Sequence, residues 1–208
     1  IPATSANLGS GFDSVGLALS MHNVVRMQEA DRLEIRSLDG VSIPLSERSL
    51  VYRAACHLYE HCGKKAPKFV IEQENRIPMT RGLGSSSACI VGGLVAANEL
   101  LGRPFDRKGL VELATGMEGH PDNVAPAILG GFVVSVMEGK RVDTVREEVP
   151  PEDLAFALFI PDFPLSTVAA REALPKQVEH HDAVYNLSRV SMLTAAFLKR
   201  DYERLEVA

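Results

Sequence analysis

Pro78-Met79-Thr80-Arg81-Gly82-Leu83-Gly84-Ser85-Ser86-Ser87-Ala88 stands between a short apolar segment, Phe69-Val70-Ile71, and a run of small and apolar residues from Ala88 to Leu101. That order reads as an extended segment, a glycine loop and the start of a buried helix. A helix start offers unpaired backbone N–H groups and the positive end of the helix dipole, which together attract an anion. Gly82 and Gly84 let the main chain take positive φ and approach such an anion closely. Ser85, Ser86 and Ser87 can cap the helix, bind phosphate oxygens or hold a hard cation. Two better-known phosphate loops are excluded. Gly84 is followed by Ser85, where a Walker loop needs Gly-Lys-Ser/Thr, and Ser87 stands where a dinucleotide fingerprint needs its third glycine. The plain alternative is a helix cap after a glycine turn, and the triple serine with two further polar motifs weighs against it.

Outward from this loop the chain reads as α+β. Val15 to Leu19 is a short strand or a helical turn. Val24 to Met27, Arg32 to Ser37 and Lys68 to Glu72 are strands by alternation. Ser49 to His61 is an amphipathic helix with Leu50, Ala54, Leu58 and His61 on one face. The helix after the serine loop is apolar on nearly all sides and therefore buried, and Gly102 with Pro104 ends it. Asp106 to Met117 is a further helix, His120-Pro121-Asp122-Asn123 a loop, and Phe132 to Met137 a strand. The acidic stretch Glu147 to Asp153, with Pro150-Pro151, marks a domain boundary. Ala155 to Ile160 is expected to be a new buried strand, His180-His181-Asp182 a loop, and Val184 to Leu205 a long helix interrupted at most at Arg200-Asp201.

The bulk properties are those of a soluble globular protein. The chain has 208 residues, 46% apolar and 24% charged, with net charge −5. It needs no disulfide staples to build a core. An acidic balance with no basic stripe argues against a nucleic-acid partner. No apolar run approaches the roughly 20 residues of a membrane span. Cys56, Cys62 and Cys89, an odd number without regular spacing, read as reduced thiols and a cytoplasmic location. His57 and His61 lie four apart on a helix between Cys56 and Cys62, a spacing that can bind zinc but lacks the metalloprotease order. The sequence opens at Ile1 inside a motif-like segment and closes in a charged helical stretch, so it is expected to be part of a longer protein.

Three polar loops interrupt this pattern: Pro2-Ala3-Thr4-Ser5-Ala6-Asn7-Leu8-Gly9-Ser10-Gly11-Phe12-Asp13, the serine loop, and Glu118-Gly119-His120-Pro121-Asp122-Asn123-Val124-Ala125-Pro126. Each sets hydrogen-bonding groups beside glycine or proline, where function tends to sit. The serine loop resembles the second signature of the superfamily named for galactokinase, homoserine kinase, mevalonate kinase and phosphomevalonate kinase. The first loop, and the third continued to Gly131, resemble the homoserine kinase branch, with Ser10 where many relatives carry Pro. Weaker likeness continues through Arg171-Glu172-Ala173-Leu174-Pro175. The superfamily's third glycine-rich signature is not in these residues.

The resemblance implies a fold and a division of roles. The fold would be a ribosomal protein S5 domain 2-like N-terminal domain over residues 1–148, then the start of a ferredoxin-like C-terminal domain over 151–208. ATP would bind at Pro78, Arg81, Gly82, Leu83, Gly84, Ser85, Ser86, Ser87 and Ala88. Mg²⁺ would be held by Ser86 and Glu118, with Ser85 and Glu112 as alternatives. The acceptor would be L-homoserine: Asn7 and Asp13 at its amine, His120 and Asn123 near its hydroxyl and carboxylate, and Arg171 clamping the carboxylate. Asn123 and Asp122 are the candidates for the chemistry itself, with the general base left open. A homodimer is compatible with the resemblance, although no interface is legible. A sister kinase acting on mevalonate or a sugar, and a non-catalytic nucleotide sensor on the same fold, are the competing readings.

Overall fold

The computed structural model describes residues 1–150, 152–160 and 167–208. Two sheets and a layer of helices organise it. In the first sheet β1 (Pro2–Ala6), β2 (Val15–His22), β6 (Phe132–Glu138) and β7 (Arg141–Glu147) run in the order β1-β2-β6-β7, all antiparallel. In the second, β3 (Val24–Ala30) pairs antiparallel and β4 (Glu34–Ser37) parallel with the central β5 (Lys68–Glu74). β2 and β3 are consecutive across Asn23, which is buried and accepts the Ile77 N–H at 2.9 Å. That bond ties the junction of the two sheets to the segment entering the serine loop.

Helices α1 (Leu50–His61) and α2 (Ser85–Leu100) pack on the second sheet, with α3 (Arg107–Glu118) and α4 (Pro121–Leu129) beside them. The main core joins Ile35, Phe69 and Ile71 of the sheet to Val51, Leu58, Ile90, Leu94, Ala114 and Val124 of the helices. α2 is buried nearly all round, as its composition requires. Its Gly93 lets α1 approach so closely that a Cβ there would lie 2.3 Å from the Val51 carbonyl oxygen. The first sheet is covered on both faces. Val133 and Val142 meet Val111 and Ala125 of α3 and α4. Val15, Leu17 and Phe132 meet Leu193 and Phe197 of α6 (His180–Lys199), and the Phe132 and Phe197 rings stack at 4.0 Å. A 3₁₀ turn, Tyr202–Val207, follows Arg200, which takes φ +54 and makes the break expected at Arg200-Asp201. Among the described residues no helix is long and apolar enough to cross a membrane.

Several elements differ from the sequence reading. Residues 155–160 are exposed and irregular rather than a buried strand, and Phe159 is 94% exposed. Apolar composition does not supply a strand with the neighbours its amides need. His120–Asn123 is not a loop: it caps and opens α4, with Pro121 in the first turn, where a missing N–H costs nothing. His180–Asp182 is the first turn of α6, where Asp182 suits the helix dipole. The buried face of α1 is Val51, Tyr52, Ala54, Ala55, Leu58 and Tyr59, while His61 is exposed. β7 is absent from the sequence reading altogether, because only Val142 and Val145 are apolar in it.

Candidate active site

α2 begins where the sequence places it, and its cap is unusual. Gly84 is the N-cap with φ +67 and brings no capping side chain, so among the described residues the first amides of α2 remain available to a ligand. Thr80 and Gly82 also take positive φ, 56° and 71°. The loop is stitched to β1 by the Thr4 N–H, which donates to the Leu83 carbonyl at 3.1 Å. Leu83 and Ala88 turn into a small core with Ala3 and Ile77, so their side chains anchor the loop and only their backbone can face a nucleotide. A Cβ on Gly84 would stand 2.0 Å from Thr4 Oγ1 and 3.2 Å from Asn123 Oδ1. Glycine is therefore required there by space as well as by conformation.

Ser86 and Ser87 turn to an acid. The hydroxyls of Ser86 and Ser87 both donate to Glu118 Oε1, each at 3.0 Å. Glu118 is the last residue of α3, and Gly119, with φ +97, ends the helix there. Glu112 turns elsewhere, accepting the Val142 N–H of β7 at 3.4 Å. A hydroxyl and a carboxylate converging beside unpaired amides are hard oxygen donors of the kind Mg²⁺ takes from a protein, so these residues fit the cation. Cys89, one turn into α2, is an unreactive neighbour: burial, with Glu118 nearby, pushes its thiol up to about 11.

The far end of the site is built by the first loop, the start of α4 and α5 (Thr167–Glu172). Asp122 is fully buried. Its Oδ1 bonds His120 Nδ1, and its Oδ2 has no hydrogen-bond partner among the described residues. The Asp122 bond raises the His120 pKa against the opposing effect of burial, favouring the imidazolium. Asn123 is held by Thr4, whose hydroxyl donates to Asn123 Oδ1 at 2.8 Å. α4 lies so close to β2 that a Cβ on Gly16 would overlap the Asp122 carbonyl oxygen at 1.8 Å. Asn7 and Asp13 both take positive φ, and Asn7 Oδ1 accepts the Asp13 N–H at 2.9 Å. Arg171 grips Asp13 with both terminal nitrogens, one at 2.9 Å, and sits 5.0 Å over the Phe12 ring.

One cleft of about 810 Å³ is lined by Asn7, Phe12, Gly82 to Ser87, Glu118, His120, Asn123 and Arg171, and Asp13 is tied to it through Arg171. The structure thus brings together the serine loop, Glu118, His120, Asn123, Asp13 and Arg171. It separates Glu112 from them. Asn7 supports the loop with its side-chain oxygen, and Asp13 and Arg171 are each other's partner. Thr4 and Phe12 belong to the site without having been singled out, although both lie inside the first motif. His57 and His61 meet edge to face, with ring centroids 4.3 Å apart. They join no set of potential metal ligands among the described residues, where such a set is Asp13, His120 and Asp122.

A glycine–serine loop at a buried helix start, an acid facing its serines and a charged far end define a small-molecule kinase site. Residues 49–131 match the family model of the GHMP kinases N terminal domain. The chain is 47% identical to a homoserine kinase of Desulfitobacterium hafniense over 99% of its own length and 70% of the relative's. It is 47% identical to one of Carboxydothermus hydrogenoformans over 100% and 68%. The crystal structure of a homoserine kinase from Cytophaga hutchinsonii superposes with TM-score 0.80 at 31% identity, over 98% of this chain and 68% of that one. The chain belongs to the homoserine kinase family.

Proposed function

We propose that the chain transfers the γ-phosphoryl group of ATP to the side-chain hydroxyl of L-homoserine, giving ADP and O-phospho-L-homoserine on the route to threonine. The hydroxyl oxygen forms the new bond to the γ-phosphorus. The bond from the γ-phosphorus to the bridging oxygen breaks with its electrons staying on ADP, and the hydroxyl proton leaves to solvent. Such a transfer passes through a loose transition state, so positioning and charge neutralisation supply most of the catalysis. The amides of Gly82 to Ser87 take the phosphates at the start of α2. Ser86 and Glu118 would hold Mg²⁺, which neutralises phosphate charge when bound. Asp13 and Arg171 receive the acceptor's ammonium and carboxylate, and Asn123 faces its hydroxyl.

The observation that supports this reading is the Ser86–Glu118–Ser87 convergence in the same cleft as Arg171, the partner of Asp13. With it we propose an S5 domain 2-like unit over 1–148, a ferredoxin-like unit opening at 151, a cytoplasmic location, no nucleic-acid partner, and a homodimer as the assembly to test by sedimentation. The function is tested by ADP release from the intact protein with ATP, Mg²⁺ and L-homoserine, against mevalonate, galactose and L-serine. Release with L-homoserine alone is expected. Release with mevalonate or galactose instead would overturn the acceptor. Nucleotide binding without any release would identify a sensor.

A further inference from the structure

Thr4 connects the two halves of the cleft. It lies in β1, fully buried, between the serine loop and the start of α4. Its backbone N–H holds the Leu83 carbonyl of the loop at 3.1 Å, and its hydroxyl donates to Asn123 Oδ1 at 2.8 Å. Gly84 leaves the room that this hydroxyl fills. An amide whose oxygen is taken by a donor must present its NH₂ on the other side. For Asn123 that group reaches Asp122 Oδ1 only at 3.5 Å, too long for a strong bond, and Asn123 itself lines the cleft. The direction of the Asn123 amide is therefore set from behind by the hydroxyl of a fully buried threonine that does not line the cleft.

We propose that Thr4 is a positioning residue: it locks the Asn123 side chain with its NH₂ toward the cleft and fixes its distance from the phosphate loop. The assignment rests on the kinase reading above. It gives Asn123 the part of a donor, able to bind the acceptor hydroxyl oxygen or a phosphoryl oxygen and unable to act as a base. Misdirecting a group that acts at the reacting atoms lowers turnover more than binding.

The test is steady-state kinetics of Thr4→Val, which keeps the shape and loses the hydroxyl, beside Thr4→Ser, which keeps the hydroxyl, and Asn123→Asp, which leaves Thr4 an acceptor and removes the NH₂. In Thr4→Val, kcat should fall about tenfold while KM for ATP and L-homoserine stays within about twofold, and Thr4→Ser should recover most of the loss. Asn123→Asp should lose turnover at least as severely as Thr4→Val. A wild-type kcat in Thr4→Val, or equal loss in Thr4→Ser, would overturn the role of the hydroxyl. Near-wild-type turnover in Asn123→Asp would overturn the donor orientation even where Thr4→Val does not fold. No turnover in the wild-type protein would overturn the kinase reading itself and this role with it. Turnover in the wild type with Thr4→Val unchanged would overturn this role alone.

Discussion

Gly84 and Gly82 sit two residues apart in the same loop with nearly the same φ, +67 and +71, yet different surroundings. A Cβ on Gly82 meets nothing within 4 Å, whereas on Gly84 it would lie 2.0 Å from Thr4 Oγ1. Alanine at either site takes a left-handed conformation at a cost of about 1–2 kcal/mol. At Gly84 it must also push a buried threonine aside, about 1–3 kcal/mol for an overpacked core site. It breaks the Thr4–Asn123 bond as well, about 0.5–1.5 kcal/mol. Stiffening of the unfolded chain offsets part of the cost equally in both variants and cancels in the comparison. Gly84→Ala is thus expected to be less stable than Gly82→Ala by about 2–4 kcal/mol, or very roughly 5–15 °C in Tm for a chain of this size. Urea-induced unfolding of the ligand-free protein measures the difference. Equal destabilisation would mean that left-handed conformation alone explains the glycines, and that the close approach of loop, β1 and α4 is not what Gly84 protects.

Other predictions address the charges. Glu118→Gln should lower turnover about a hundredfold at saturating Mg²⁺ while changing the stability of the ligand-free protein by no more than about 1 kcal/mol, whereas Glu112→Gln should keep turnover within about twofold. The reverse ranking in steady-state assays would return the metal acid to Glu112. The Asp122 bond holds the His120 pKa above its ordinary value of 6.5, so the stabilisation is complete below that pH and is lost as pH rises through the folded-state value. Wild type should therefore lose more stability than His120→Gln between about pH 6 and about pH 8 in urea titrations, and identical losses would deny the interaction.

The parts of the fold that are legible in the sequence are those fixed locally. The serine loop and α2 follow from glycine, serine and an unbroken small-apolar run within about twenty residues. α4 is misread because Pro121 and Pro126 both look like breakers. Pro121 opens the helix, and Pro126 removes only the amide that would have met the Asp122 carbonyl, which lies instead against Gly16. That accommodation depends on β2, more than a hundred residues away, and no local pattern announces it. Glu112 and Glu118 stay unresolved in the sequence because both are acids on one helix. Six residues turn a helix through about 600°, which puts them on different faces, and only the packing of α3 reveals which face meets α2. Thr4 is hidden for a similar reason: a threonine in a strand gives no sign of the asparagine across the cleft.

The pairing of Asp13 with Arg171 bears on how an amino acid would be chosen over other alcohols. Both side chains are 35% exposed, so the bond between them is worth at most about 1 kcal/mol and is cheap to open. An α-amino acid brings its own cation and anion, so one exposed pair can be exchanged for two, ammonium to Asp13 and carboxylate to Arg171. Mevalonate brings only the anion and leaves Asp13 without a partner, and a neutral sugar compensates neither charge. Against these acceptors the charge pattern would discriminate on the proposed reading. L-Serine carries the same two charges, and its hydroxyl hangs one carbon shorter. If the charges of the amino acid are held at Asp13 and Arg171, a shorter arm is expected to fall short of Asn123, so L-serine should turn over far more slowly than L-homoserine in the same ADP-release assay. On the proposed reading, recognition at the ion pair and reach toward Asn123 would be separate filters, and Thr4, by fixing Asn123 from behind, would set the second.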